Sequence, residues 1–251
     1  MARLKLTLAY DGTGFSGWQV QAKKKGSVRT VQGCLEEAFA LVLGQRVRVH
    51  GAGRTDAGVH ALGQVAHVDI PEAKTPIPWQ KALCALLPRD LTVLKARAVA
   101  PDFHARYNAK SKIYTYSLWP NSRYIPQRRN FVWAAGELDL EAMDRAAAYL
   151  LGEHDFKSFQ NQGTLVKNTV RTLMDIRRVK GRFSGEVVLR FQANGFLKQM
   201  ARNIVGMLAA VGRGRFGPED VPRMLSACDR SAAPYPTAPP HGLCLEKVLY
   251  R

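Results

Sequence analysis

The segment Arg3–Gly14, RLKLTLAYDGTG, carries the clearest structural signal in the sequence. A leucine or a tyrosine occupies every second position from Leu4 to Tyr10, which is the pattern of a strand with one buried face. Asp11 and Gly12 then favour a turn. A sheet that buries one face needs helices to cover that face, so the segment favours an α+β protein.

Similar patterns predict the other elements of the first half of the chain. Thr30 is the predicted N-cap of a helix, and Gly44 is its predicted end. Strands follow at 46–50 and 64–70, then a helix at 79–87 and a strand at 91–98. The predicted order is therefore β-α-β-β-α-β.

The second half repeats this order without a visible sequence repeat. The predicted elements are a strand at 113–119, a helix at 141–151, a hairpin of strands at 169–179 and 185–192, helices at 196–211 and after Gly217, and a last strand at 243–250. Some connections between strands are too short for a crossover helix, which argues against a doubly wound parallel sheet. We predict two ferredoxin-like domains, 1–105 and 106–251.

Charge is the strongest global signal. The 251 residues include 37 Lys and Arg against 20 Asp and Glu, a formal net charge of +17. Both halves are basic, so the excess is not confined to a tail, and a polyanion is the expected partner. Without a strongly amphipathic basic helix, nucleic acid is favoured over a membrane. We predict that the two antiparallel sheets lie side by side and form a basic RNA-binding cleft.

Other features narrow the class of protein. The four cysteines lie far apart without a CxxC pair, which argues against a zinc knuckle and a disulfide scaffold. Neither a membrane span nor a signal-peptide pattern is visible. His60, His67 and His104 lack the spacing of metal ligands, and we interpret them as structural or RNA-contacting. We expect a cytoplasmic protein that needs no metal and no cofactor.

The loop His50–Gln64, HGAGRTDAGVHALGQ, carries the strongest chemical motif. It holds one arginine and one carboxylate, Arg54 and Asp56, among glycines and alanines. Its spacing fits neither a dinucleotide fingerprint nor a P-loop. Small residues allow another molecule to approach closely, and an arginine nearby keeps an aspartate ionised, as a nucleophile requires. The alternative is an ordinary turn aspartate that caps the next segment.

Aromatic residues are concentrated near the start of the second half. Tyr114 and Tyr116 share one face of a predicted strand, and either core packing or base stacking explains them. Phe103 and Tyr107 leave the same two alternatives. Basic residues interleave with these rings, as RNA stacking platforms require, at Arg106, Lys110 and Lys112.

The segment GFLKQMARNIVGML predicts a mostly apolar helix. Its stripe of Phe196, Met200, Ile204 and Met207 indicates a core face. Lys198 and Arg202 lie four apart on a neighbouring face. Such cations need solvent or an anionic partner, and an ion pair from Arg202 to Asp56 is the more specific of these two alternatives.

Several strings now identify a family. The chain resembles the TruA-type tRNA pseudouridine synthases along nearly its whole length. The strings that carry the resemblance, in the family's order, are YDGTGFSGWQ, TVQGCLEEAF, GAGRTDAGVHALGQVAH, FHARYNAKSKIYTY, FLKQMARNIVG and TAPPHGLCLEKVLY. Among them, GRTDAGVH is highly specific.

The resemblance implies a catalytic role for Asp56 as nucleophile. It further implies that Tyr114 contacts the target uracil, that Arg202 pairs with the aspartate, and that Arg54 helps to displace the target base from its stack. The implied activity is the isomerisation of uridine to pseudouridine at positions 38, 39 and 40 of the tRNA anticodon arm. The resemblance also implies a homodimer that works without metal or cofactor.

The sequence also departs from the family pattern. The segment between Gln21 and Val28 is longer and more basic than usual, with lysines from Lys23 to Lys25. Cys244 replaces an aromatic residue, and Ala201 stands where valine is usual. Two other functions are kept as alternatives: an RNA-binding module without catalysis, and a glycosylase that excises the base.

Overall fold

The computed structural model describes residues 1–21, 28–121, 125–163, 166–232 and 234–250. The chain divides into two compact units, Met1–Lys110 with Cys244–Arg251, and Ser111–Leu243. The predicted basic loop at Lys23–Lys25 lies outside the described residues.

The first unit combines an antiparallel-dominated sheet with two helices. Its described elements are β1 (Ala2–Tyr10), α1 (Val31–Leu43), β2 (Val49–Gly51), β3 (His60–Ile70), α2 (Trp79–Leu86), β4 (Leu91–Val99) and β10 (Leu243–Leu249). β1 lies between β4 and β3 and is antiparallel to both. β2 pairs antiparallel with β3, while β10 pairs parallel with it through Cys244 and His60. Up to β4 the order is the predicted β-α-β-β-α-β.

The core of the first unit follows the alternation of β1. Leu4, Leu6 and Leu8 are buried, and the residues between them are partly exposed. Helix α1 begins where predicted, because the Thr30 hydroxyl accepts the Gly33 N–H at 3.2 Å. It ends at Gly44, whose φ of 73° is left-handed and stops the helix.

The second unit is also α+β, which confirms the predicted fold class. Its described elements are β5 (Ser111–Trp119), β6 (Trp133–Ala134), α3 (Leu140–Ala148), β7 (Gly152–Asp155), β8 (Val170–Lys180), β9 (Val187–Ala193), α4 (Met200–Gly212) and α5 (Val221–Ser226). The strands β5, β9, β8 and β7 pair antiparallel in this order. The predicted hairpin is formed by β8 and β9. The short strands β6 and β7 were not predicted, because two and four residues are too few for a visible alternation.

The predicted helix at 196–211 begins later than expected. α4 starts at Met200, because Gln199 has a left-handed φ of 61° that an α-helix cannot contain. Phe196 and Lys198 therefore precede the helix, and the prediction that Lys198 and Arg202 share a helical face is wrong. The rest of the apolar stripe, Met200, Ile204 and Met207, is buried as predicted.

The last strand returns to the first unit. The prediction placed residues 106–251 in one C-terminal domain, whereas residues from Cys244 onward belong to the unit that contains β1. The reason is the pairing of β10 with β3, and the Tyr250 hydroxyl adds a hydrogen bond of 2.7 Å to the Ala105 carbonyl. Such long-range pairing leaves no local signal in the sequence.

Candidate active site

The loop with the single carboxylate connects β2 to β3 in the first unit. Within it Arg54 is exposed, Thr55 is buried and Asp56 is partly exposed. Asp56 is thus not sealed in the core. The predicted pair Arg54 and Asp56 lies on one short segment, where both side chains reach the surface.

Thr55 anchors this loop from two sides. Its hydroxyl lies 2.9 Å from the hydroxyl of Tyr10, and its carbonyl accepts the Trp18 N–H at 3.0 Å. The Gln64 amide donates to the Gly53 carbonyl at 2.9 Å, which fixes the loop on its other flank. After Asp56, the Gly58 N–H donates to the Phe15 carbonyl at 3.3 Å, so the backbone on both sides of Asp56 is held before any substrate binds.

The glycines of YDGTGFSGWQ allow the backbone to pass directly against this loop. A Cβ on Gly17 would lie 2.8 Å from the Thr55 carbonyl oxygen, and Gly17 also has a left-handed φ of 89°. A Cβ on Gly12 would lie 2.1 Å from the Val59 carbonyl oxygen. Sequence reasoning missed this supporting segment, although its strings entered the family resemblance.

One small residue of the loop has a different purpose from the one expected. We predicted that small residues near Asp56 leave room for another molecule. At Gly51 the room is taken by the protein itself, because a Cβ there would lie 2.5 Å from the Trp18 ring. Gly51 therefore accommodates the tryptophan that follows Gly17.

Tyr114 lies on β5 in the second unit. It is 6% exposed, and its ring packs edge-on against Phe196 with the centroids 4.9 Å apart. Tyr116 is completely buried and donates to the Pro239 carbonyl at 2.9 Å. Burial raises the pKa of Tyr116 above its usual range. Of the two alternatives for Tyr116, core packing is therefore correct.

Arg202 lies in the first turn of α4 and is partly exposed. Its Nε donates to the Ala238 carbonyl at 2.8 Å, and the Ala238 N–H donates back to the Arg202 carbonyl at 3.2 Å. The neighbouring Asn203 is buried, donates to the Phe159 carbonyl at 2.8 Å and accepts from the Thr237 hydroxyl at 2.7 Å. The segment TAPPHGL therefore holds the start of α4 in place, a role that the sequence did not reveal.

The predicted site residues are divided between the two units. Arg54 and Asp56 belong to the first unit, and Tyr114 and Arg202 belong to the second. Among the described residues, no group of three or more His, Cys, Asp or Glu side chains is placed to hold a metal ion. In the same part of the chain, no helix is both long enough and apolar enough to cross a membrane.

Comparison with known proteins matches most of the chain, although the family model does not cover Tyr114. The family model described as tRNA pseudouridine synthase matches residues 7–108 and 146–251, which include Arg54, Asp56 and Arg202. Both units carry matched segments. The protein is therefore an RNA-modifying isomerase.

Curated relatives match along the whole chain. The tRNA pseudouridine synthase A of Solidesulfovibrio magneticus is 57% identical over 100% of this chain and 92% of its own length. Its namesakes in Lawsonia intracellularis and Anoxybacillus flavithermus are 51% and 43% identical, again over 100% of this chain and over 100% and 99% of theirs. The chain belongs to the tRNA pseudouridine synthase family.

A solved structure is also similar at a greater distance. The crystal structure of a Cbf5-Nop10-Gar1 complex matches with a TM-score of 0.34 and 9% identity, over 82% of this chain and 53% of that chain. This similarity is too low to inform on the site.

Proposed function

We propose that this chain isomerises uridine to pseudouridine at positions 38, 39 and 40 of the tRNA anticodon stem-loop, with Asp56 as the nucleophile on a flipped-out nucleotide. The observation that carries the proposal is the anchoring of the aspartate loop. A partly exposed carboxylate follows a residue fixed by Tyr10 and Trp18, so it meets the nucleotide in a preset geometry.

The reaction explains why one carboxylate is enough. The bond from the uracil ring nitrogen to the ribose is broken, and a bond from a ring carbon to the ribose is formed. The proton of that carbon is lost while the freed ring nitrogen gains one, so the product is an isomer of the substrate. The base must be held throughout, so positioning matters more than an array of acids and bases. Asp56 forms or stabilises one transient adduct, and no cofactor is needed.

The remaining site residues take complementary roles in this proposal. Arg54, which is exposed, displaces the target base from its stack, an event that costs a few kcal/mol. Tyr114 contacts the uracil. Arg202 pairs with Asp56, and the hydrogen bond from its Nε to the Ala238 carbonyl sets the direction of its guanidinium.

The charge of the chain fits a tRNA substrate. A net charge of +17 attracts a phosphate backbone and releases its counterions on binding. The affinity for tRNA should therefore fall steeply as the salt concentration rises. A flat titration would contradict a binding surface built from cations.

The proposal is tested with unmodified tRNA transcripts. Pseudouridine is mapped by carbodiimide treatment and primer extension, which reports each of positions 38, 39 and 40 separately. Wild type should modify these positions, whereas Asp56→Asn should be inactive but still bind tRNA. Asp102→Asn is the matched control, because Asp102 is exposed on another loop of the same unit. Equal product from Asp56→Asn and wild type would end the proposal.

The same assay separates the two alternative functions. An RNA-binding module would retain tRNA without changing any base. A glycosylase would release free uracil and leave an abasic site. Neither outcome is compatible with an isomerase.

The proposal extends to assembly and location. A homodimer in the cytoplasm, where tRNA is abundant, agrees with the family resemblance. Light scattering of the purified chain measures the mass directly, and a monomeric mass of 27.8 kDa would contradict the dimer.

A further inference from the structure

Four rings in the first unit form a continuous group, and none of them belongs to the candidate active-site residues. His50 and His67 are stacked with centroids 5.0 Å apart and planes 17° apart. His67 contacts His104 at 4.6 Å, and His104 contacts Tyr107 at 4.2 Å with an interplanar angle of 30°. We call these four residues the Tyr107 stack. Tyr107 is its outermost ring and is 77% exposed.

Backbone hydrogen bonds hold the rings of His67 and His104 in fixed orientations. Nδ1 of His104 accepts the N–H groups of Arg106 and Tyr107 at 3.1 and 3.2 Å. Nδ1 of His67 accepts the Ala105 N–H at 3.1 Å. The Asn108 N–H donates to the His104 carbonyl at 3.0 Å and closes the turn. Tyr107 is thus displayed on a turn that is ordered before any ligand arrives.

Several cations border the stack, where Asp69, a carboxylate close to His67, is paired with Arg3 at 2.7 Å. The guanidinium of Arg106 lies 5.9 Å from the centroid of the Tyr107 ring. The register of the sheet places Arg97 beside Lys5, Lys5 beside His67 and His67 beside His50, which forms one row across four strands. A ring face bordered by cations is what an unpaired nucleotide needs, since the base stacks and the phosphate finds a positive partner.

We infer that Tyr107 is a stacking site for an unpaired base of the RNA substrate, with Arg106 on an adjacent phosphate. The inference depends on the proposed RNA substrate and adds a second contact to it. His60 and His67 are separated by seven residues of β3, a span of about 23 Å at about 3.3 Å per residue. Asp56 lies at the His60 end of its loop, because its carbonyl accepts the Val59 N–H at 3.2 Å, and the stacked base is therefore not the base that reacts.

A remote contact should change binding and leave the chemical step unchanged. Tyr107→Ala should raise the KM and the Kd for tRNA about 5- to 100-fold, the range expected for losing one stacked base. Its kcat should stay within about twofold of wild type, because the reacting base is held elsewhere. Tyr107→Phe keeps the ring and should bind like wild type.

The dependence of Kd on salt concentration distinguishes the phosphate contact of Arg106 from the base stacking on Tyr107. Arg106→Ala should lower the slope of log Kd against log salt by about 1, the effect of one lost phosphate contact. Tyr107→Ala should weaken binding without changing this slope. Leu41→Ala is the matched control, because Leu41 is 74% exposed on α1 of the same unit and should leave Kd unaltered.

Three results would overturn the inference: an unchanged Kd for Tyr107→Ala, an equal loss in Tyr107→Ala and Tyr107→Phe, or a fall in kcat at unchanged KM. Binding is measured by the fluorescence anisotropy of labelled tRNA and does not require turnover. If wild type binds tRNA but forms no pseudouridine, the proposed function fails while the stacking site is still tested. If Tyr107→Ala retains full affinity in an active enzyme, the stacking site alone fails.

Discussion

The hydroxyl of Tyr10 lies 2.9 Å from Oγ1 of Thr55, the residue that precedes Asp56. Both residues are buried, and burial raises the pKa of Tyr10 to about 12. The tyrosine therefore stays neutral and keeps its hydrogen bond over the whole physiological range. The orientation of the candidate nucleophile is thus linked to β1, the strand that ends at Tyr10.

Tyr10→Phe should test this link. The substitution removes one buried hydroxyl and leaves Thr55 and the Gln64 amide without a partner at that point, so unfolding should become easier by about 1–2 kcal/mol. We expect kcat to fall more than KM rises, because the loop that moves carries Asp56, which acts in the chemical step. Urea unfolding and steady-state kinetics measure both, with Tyr149→Phe as the exposed control. Wild-type kcat in Tyr10→Phe would contradict the role of this contact.

Gly17→Ala should damage the same loop from the other side. Gly17 and Gly44 both have left-handed φ angles, 89° and 73°, and alanine costs about 1–2 kcal/mol in such a conformation. Only at Gly17 would the new Cβ meet a backbone oxygen, at 2.8 Å, whereas nothing lies within 4 Å at Gly44. Gly17→Ala should therefore lower both Tm and kcat more than Gly44→Ala, and equal effects would refute the steric argument.

Arg202→Lys should be a poor substitute for the arginine. A lysine retains the charge but loses the Nε that donates to the Ala238 carbonyl, and it has no forked geometry for a carboxylate. We expect kcat to drop at least about tenfold with tRNA affinity nearly unchanged. Single-turnover rates at saturating enzyme report the chemical step. A lysine variant with normal turnover would show that the guanidinium is not needed.

His67 should make the first unit sensitive to acid. Burial, with added repulsion from His104, Arg3 and His50, lowers the pKa of His67 to about 4 from 6.5. Between these values the unfolded chain binds a proton that the folded chain does not. This contribution to stability is therefore complete above pH 6.5 and is lost as the pH falls towards 4. Tm measured across this interval should fall less in His67→Gln, and identical pH profiles would disprove the assignment.

Local patterns were sufficient to predict much of the fold. The alternation from Leu4 to Tyr10 predicted β1, and Thr30 and Gly44 predicted both ends of α1. These signals are readable because each one depends on residues close in sequence. The start of α4 was missed for the opposite reason, since Gln199 adopts a left-handed φ that its side chain does not announce.

The sequence predicted candidate residues for the site, whose roles remain proposals, but it did not predict the contacts that support them. Asp56 and Arg54 stand out in a loop of small residues, Tyr114 and Arg202 were candidates with structural alternatives, and the family resemblance gave these two their specific roles. The contacts of Thr55 with Tyr10 and Trp18 could not be predicted, because they join segments about 40 residues apart in the chain. The role of Gly51 could not be predicted either. Only the structure shows that the Trp18 ring fills the space that a side chain at Gly51 would occupy.

The parallel pairing of β10 with β3 has a consequence for biosynthesis. The strand that borders the aspartate loop at His60 is made after the entire second unit, because Cys244 and Leu245 follow it in the chain. During synthesis, β3 therefore lacks its pairing with β10 at His60 and Ala61 while the second unit, more than half of the chain, is made. The pairing beside the aspartate loop therefore forms only after Cys244 and Leu245 have left the exit tunnel.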